Sequence, residues 1–109
     1  MNDKILNLLG ICRRAGKLTI GNDAVTDDAV NGKASLVLVA CDVSQNTAKK
    51  LKNTCARCGT QVLKLNRTRD ELSAAIGKFC AVAAVCDKGF AKRLCELISE
   101  ENSPEDITV

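Results

Sequence analysis

Two periodicities alternate along this chain. In residues 3–14, Ile5, Leu8, Leu9 and Cys12 recur at helical spacing and give one apolar stripe. "KLTI" (17–20) is a short strand. Residues 22–31 return to helical spacing, with Val25, Ala29 and Val30 inward. "SLVLVA" (35–40) is a continuous apolar run, the pattern of a strand covered on both faces. Ser44 can cap a helix over 45–58 that turns Ala48, Leu51, Cys55 and Cys58 to one side, and Gly59 ends it. "QVLKL" (61–65) is the next strand. Thr68-x-x-Glu71 is a capping box that opens a short helix with Leu72, Ala75 and Ile76 inward. "CAVAAV" (80–85) is a second buried strand, rich in small residues. The last helix, 88–99, turns Phe90, Leu94, Leu97 and Ile98 inward.

Helices alternating with strands predict an α/β protein: a three-layer α/β/α sandwich around a four-stranded mixed sheet. At 109 residues, with no linker or internal repeat, the chain is one domain over 1–99 with a loose acidic tail over 100–109. No apolar run reaches the roughly 18 residues of a membrane span. The first residues place their cations after the apolar positions, the reverse of a signal peptide. The expected location is cytoplasmic.

Composition narrows the chemistry. The chain has no His, which removes Ser-His and Cys-His nucleophile pairs and a common metal ligand. Its seven cysteines are odd in number and show no framework spacing, which suits reduced thiols used as small hydrophobes. Cys55 and Cys58 form a C-x-x-C, but at a helix C-terminus, where the dipole does not lower a thiol pKa. No second C-x-x-C completes a zinc set. No glycine-rich phosphate loop is present. The expectation is a non-catalytic protein with no cofactor and no metal.

Charge is unevenly spread. Residues 33–69 carry a net +7, residues 21–32 a net −3 and residues 96–109 a net −5. Asp23, Asp27 and Asp28 crowd one helix start, where acids complement the dipole. Lys49, Lys50, Lys52 and Arg57 lie on the outer side of the third helix, and Arg67 and Arg69 flank a turn; a solvated face accounts for these. Arg13, Arg14 and Lys17 precede the Gly21 turn and are candidate contacts for an anionic partner. Only Phe79 and Phe90 are aromatic, which disfavours binding by rows of stacked bases.

Three segments carry a resemblance in order and spacing: "RRAGKLTIGNDAV", "NGKASLVLVACDVSQNTAKKL" and "AIGKFCAVAAVCDKGFAKRL". Together they resemble the ribosomal protein family that binds kink-turn RNA, L-seven-Ae and L-thirty-e, and within it the small bacterial YlxQ-like branch. The resemblance covers residues 3–98. It implies structured RNA, or the ribosome, as partner. The N-terminus of the second helix would lie in the kink, and a loop after the fourth helix would meet an extruded nucleotide. Of the family's Gly-x-Asn-Glu-x-x-Lys motif, Gly21 matches; Asp23, Ala24 and Asp27 stand where Asn, Glu and Lys are usual, and Asn22 lies one position early. In the second loop Gly77 matches, Lys78, Phe79 and Cys80 occupy the loop, and Ser73 replaces a glycine. Cys41 replaces an acid before Asp42, and Ser35 replaces a lysine.

The implied RNA-contacting set is therefore Arg13, Arg14, Lys17, Gly21, Asn22, Asp23, Asp27, Lys33, Gly77, Lys78 and Phe79. Asp27 reverses the sign of a phosphate contact, and Arg13, Arg14, Lys17 and Lys33 are the neighbours expected to offset it. An alternative is a protein–protein module of the same fold that has lost kink-turn recognition.

Overall fold

The computed structural model describes residues 3–101. Over these, helices and strands alternate: α1 (Lys4–Arg14), β1 (Leu18–Ile20), α2 (Asn22–Val30), β2 (Leu36–Val39), α3 (Gln45–Cys58), β3 (Gln61–Lys64), α4 (Arg69–Ile76), β4 (Val82–Val85) and α5 (Lys88–Glu101). The four strands form one mixed sheet in the order β1-β4-β2-β3. β2 and β3 are parallel, and β4 runs antiparallel to both β1 and β2.

Strand periodicity divides the core. Leu36 and Leu38 of β2 face α1, α4 and α5, where they join Leu9, Leu72, Leu94 and Ile98. Val37 and Val39 point the other way, toward Val25 and Ala29 of α2 and Leu51 and Cys55 of α3. The three layers are thus α1, α4 and α5, then the sheet, then α2 and α3. Leu9, Leu36, Leu38, Leu72 and Leu94 are fully buried, each worth about 1.5–3 kcal/mol in apolar transfer. Gly10 brings α1 close to α4, since a Cβ there would sit 3.2 Å from the Ala75 carbonyl oxygen.

Several expectations change. Val30 is exposed: it is five residues from Val25 and next to Ala29, so the helical twist turns it off the face that those two bury. Cys58 is also exposed, so the α3 stripe ends at Cys55. α5 runs past residue 99 to Glu101, whose carboxylate is held by Arg67. The rest of the expected acidic tail, residues 102–109, lies outside the described residues.

Candidate functional site

The site builds up at one end of the sheet. β4 starts there at Val82, paired with Val39 at the end of β2, while Ile20 ends β1 beside Ala83. Gly21 donates its N–H to the Val82 carbonyl at 3.3 Å, and Ala40 donates to Ala81 at 2.9 Å. These bonds place the β1–α2 turn directly beside the α4–β4 loop.

Gly21 has φ 100° and ψ 149°, a conformation reserved for glycine. It is the N-cap of α2 and offers no side chain to cap it. The other helices are capped: by Asp3 for α1, Ser44 for α3, Thr68 with Glu71 for α4, and Asp87 for α5. The start of α2 at Asn22, Asp23 and Ala24 is exposed. Unpaired N–H groups at a helix start carry partial positive charge and suit an anion.

The neighbouring loop is pinned from inside. Ser73 Oγ accepts the Cys80 N–H at 2.9 Å and donates to the Cys80 carbonyl at 3.2 Å. Arg13 Nη1 donates to the Ile76 carbonyl at 2.6 Å, and Gly77 turns the chain at φ 87°. With its base fixed, the loop holds Lys78 and Phe79 outward. Phe79 is 71% exposed, an unfavourable position for an aromatic ring.

The sequence-expected residues separate into groups. Gly21, Asn22, Asp23, Gly77, Lys78 and Phe79 come together at this end of the sheet. Arg13 sits behind the loop as a support. Lys17 and Lys33 do not join them: Lys17 accepts the Cys86 N–H at the far end of β4, and Lys33 follows the last turn of α2, just before Ser35 pairs with Val85. Arg14 lies in a shallow groove between α1 and α4 with Asn7, Ile11 and Ala75. The four cations expected to offset Asp27 therefore do not surround it.

The acids separate too. Asp28 points inward: it accepts from Thr19 Oγ1 at 2.5 Å and from Cys86 Sγ at 3.4 Å, and its carbonyl accepts the Lys33 and Ala34 N–H groups. It fastens α2 to β1 and to the turn into β2. Asp23 and Asp27 face a groove between α2 and α3, with Thr26 on their bank and Lys50, Asn53, Thr54 and Arg57 on the other. Sequence reading assigned Lys50 and Arg57 to a solvated face and passed over Asn53 and Thr54. The signal was present, because positions 50, 53, 54 and 57 have helical i, i+3, i+4, i+7 spacing.

Arg67 is committed to structure. Its Nε donates to Asp3 Oδ2 at 2.6 Å; Nη1 donates to Glu101 Oε1 and the Asn66 carbonyl, both at 2.8 Å; Nη2 donates to Glu101 Oε2 at 2.6 Å and Asp3 Oδ1 at 3.2 Å. All five guanidinium donors are used. Arg69 pairs with Asp42, which also accepts the Arg69 N–H.

Three of the thiols are shielded from solvent. Burial pushes Cys55 and Cys80 up, and Cys12 up to about 11, so all three resist forming the nucleophilic thiolate. Among the described residues no three His, Cys, Asp or Glu side chains converge to hold a metal.

This architecture matches known proteins over most of the chain. The model of the ribosomal protein L7Ae/L30e/S12e/Gadd45 family matches residues 3–102. The chain belongs to this family. Within the L7Ae family it falls with bacterial YlxQ proteins. It is 40% identical over 95 residues to "RNA-binding protein YlxQ" of Enterococcus faecium, covering 87% of this chain and 91% of that protein. It is 40% identical over 92 residues to the Bacillus subtilis (strain 168) protein of the same name, covering 84% and 91%. A solved structure of a Bacillus halodurans protein of unknown function superposes with a TM-score of 0.85 at 35% identity, covering 90% of this chain and 99% of that one. The Giardia lamblia 15.5kD RNA binding protein superposes with a TM-score of 0.74 at 18% identity, covering 92% and 89%, and so shares this fold. No helix among the described residues is long and apolar enough to cross a membrane.

Proposed function

We propose that this chain is a non-catalytic RNA-binding protein of the L7Ae family that docks on structured, kink-turn-like RNA and acts with the ribosome or the translation apparatus. The observation that carries this reading is the pairing of an uncapped helix start with a projecting aromatic loop, joined by the Gly21 to Val82 hydrogen bond. The N–H groups at Asn22, Asp23 and Ala24 take a phosphate. Phe79 stacks on an unpaired base, worth about 1–3 kcal/mol, and Lys78 meets the adjoining backbone. Arg13 and Ser73 hold the loop in place. The names of the YlxQ relatives support RNA as the partner.

A second reading is a protein–protein module of the same fold. It is favoured by Asp27 in place of a lysine and by the exposure of Ile11 and Val30. Binding of the reduced protein to a kink-turn RNA and an unkinked duplex, across a salt series, separates the two. Kink-selective binding that persists as salt rises supports the first. Equal, weak binding to both that vanishes with salt overturns it.

A further inference from the structure

The groove between α2 and α3 is built from two facing polar stripes. Asp23, Thr26 and Asp27 share a face of α2; Lys50, Asn53, Thr54 and Arg57 share a face of α3. Beneath them Val25, Ala29, Leu51 and Cys55 pack the two helices together, so the stripes form the banks of an open trough of about 670 Å³. The trough starts at Asp23, in the first turn of α2, and is continuous with the exposed helix start.

Its charges are arranged by bank. α3 carries Lys49, Lys50, Lys52 and Arg57 and no acid. The facing part of α2 carries Asp23 and Asp27 and no base. Among the described residues, ion pairs form at Arg67, Arg69 and Arg93, and none of the four trough charges takes part in one. Lys50 and Arg57 lie seven residues apart, about 10 Å along the helix. That separation lets the two cations meet separate phosphates of one strand. A nucleic-acid strand has the matching polarity: anionic phosphates on one side and base edges with N–H donors on the other. Carboxylates accept from amino groups of bases.

We propose that the α2–α3 trough is a second RNA contact, in which Lys50 and Arg57 take phosphates of one strand while Asp23 and Asp27 accept from amino-bearing base edges. This rests on the RNA-binding reading above and extends it from a point contact at the start of α2 to a track along α3. It also gives the acid at position 27 a role. The phosphate charge that a lysine there would meet is taken instead by the opposite bank.

The test compares two double variants that remove the same charge from the same helix. Lys50→Gln with Arg57→Gln empties the trough bank. Lys49→Gln with Lys52→Gln empties the other flank of α3. All four side chains are exposed, and a thermal melt of each variant checks that it remains folded. Binding is measured to one kink-turn RNA hairpin over a salt series. The trough pair is expected to lose affinity about 10- to 100-fold near 0.1 M salt, with the slope of log affinity against log salt falling by about 2. The flank pair is expected to stay within about threefold of the unmodified protein. Equal losses in both pairs, or no loss in either while the unmodified protein binds tightly, overturn the trough and leave the RNA-binding reading intact. No binding by the unmodified protein overturns both.

Discussion

Arg67→Ala removes the clamp that joins the start of α1, the β3–α4 turn and the end of α5. The Arg67 side chain is only 12% exposed, and it makes charge-assisted bonds to two carboxylates, both of them bidentate. Deleting one partner of a buried ion pair costs about 3–5 kcal/mol. Here the abandoned carboxylates are 19% and 31% exposed, so water reaches them and offsets part of the loss. Against that, Asp3 and Glu101 are left facing each other without a cation. The expected loss is about 2–3 kcal/mol, or roughly 10–20 °C in Tm for a domain of this size. The pH dependence has a definite sign. Hydrogen bonding to Arg67 is the main influence holding the Asp3 carboxyl below its usual range. A carboxyl lowered by folding contributes stability above its unfolded value near about 3.9, and that stability fades as pH falls through the lower folded value. The gap between the unmodified protein and Arg67→Ala should therefore be full at pH 7 and close as pH drops below about 4. Urea unfolding at a series of pH values reads both quantities. A loss under about 1 kcal/mol at pH 7, or a gap that stays constant into acid, would refute the clamp.

Gly21→Ala meets no atom within 4 Å, so its cost is backbone strain alone, about 1–3 kcal/mol; a thermal melt should show it, and RNA affinity should fall as the start of α2 shifts. Asp27→Lys should raise affinity for the unkinked duplex at low salt and steepen the salt slope by about 1, while narrowing the ratio between kink-turn and duplex RNA. Phe79→Ala should leave Tm unchanged, because the ring is exposed, yet cost about 1–3 kcal/mol of RNA affinity, read by titration. Maleimide labelling followed by intact mass should modify exposed Cys41 and Cys58 first, with Cys12, Cys55 and Cys80 reacting only after unfolding.

The layered core was legible because its signals are local. The runs at 36–39 and 82–85 are apolar at every position, and each is buried at every position. Ser44, Thr68 and Glu71 cap as their spacing requires. The misreadings come from interactions that span the chain. Val30 stands next to Ala29 at the edge of the apolar face, and how wide a face α2 buries is set by the elements packed against it, β4 among them. Arg67 looks like any surface arginine until Asp3 and Glu101, 64 and 34 residues distant, are brought to it. Lys17 is four residues from Gly21 in sequence, yet β1 carries it to the other end of the sheet. The polar stripe on α3 was visible as a pattern. Only the position of α2 shows that it has an opposite bank.

The strand order also governs how the chain can acquire its structure during synthesis. β4 lies between β1 and β2 and pairs with both, through Leu18–Val85 on one side and Leu36–Val85 on the other. A nascent chain that has not reached residue 82 can join β2 to β3, but β1 has no neighbour to pair with. Seventeen residues from the start, the first strand waits for the last. Long-range closure of this kind slows folding and makes it cooperative. The turn at Gly21, which donates its N–H to the Val82 carbonyl, is therefore among the last features to set, and a nascent chain lacking β4 has no acceptor to fix it.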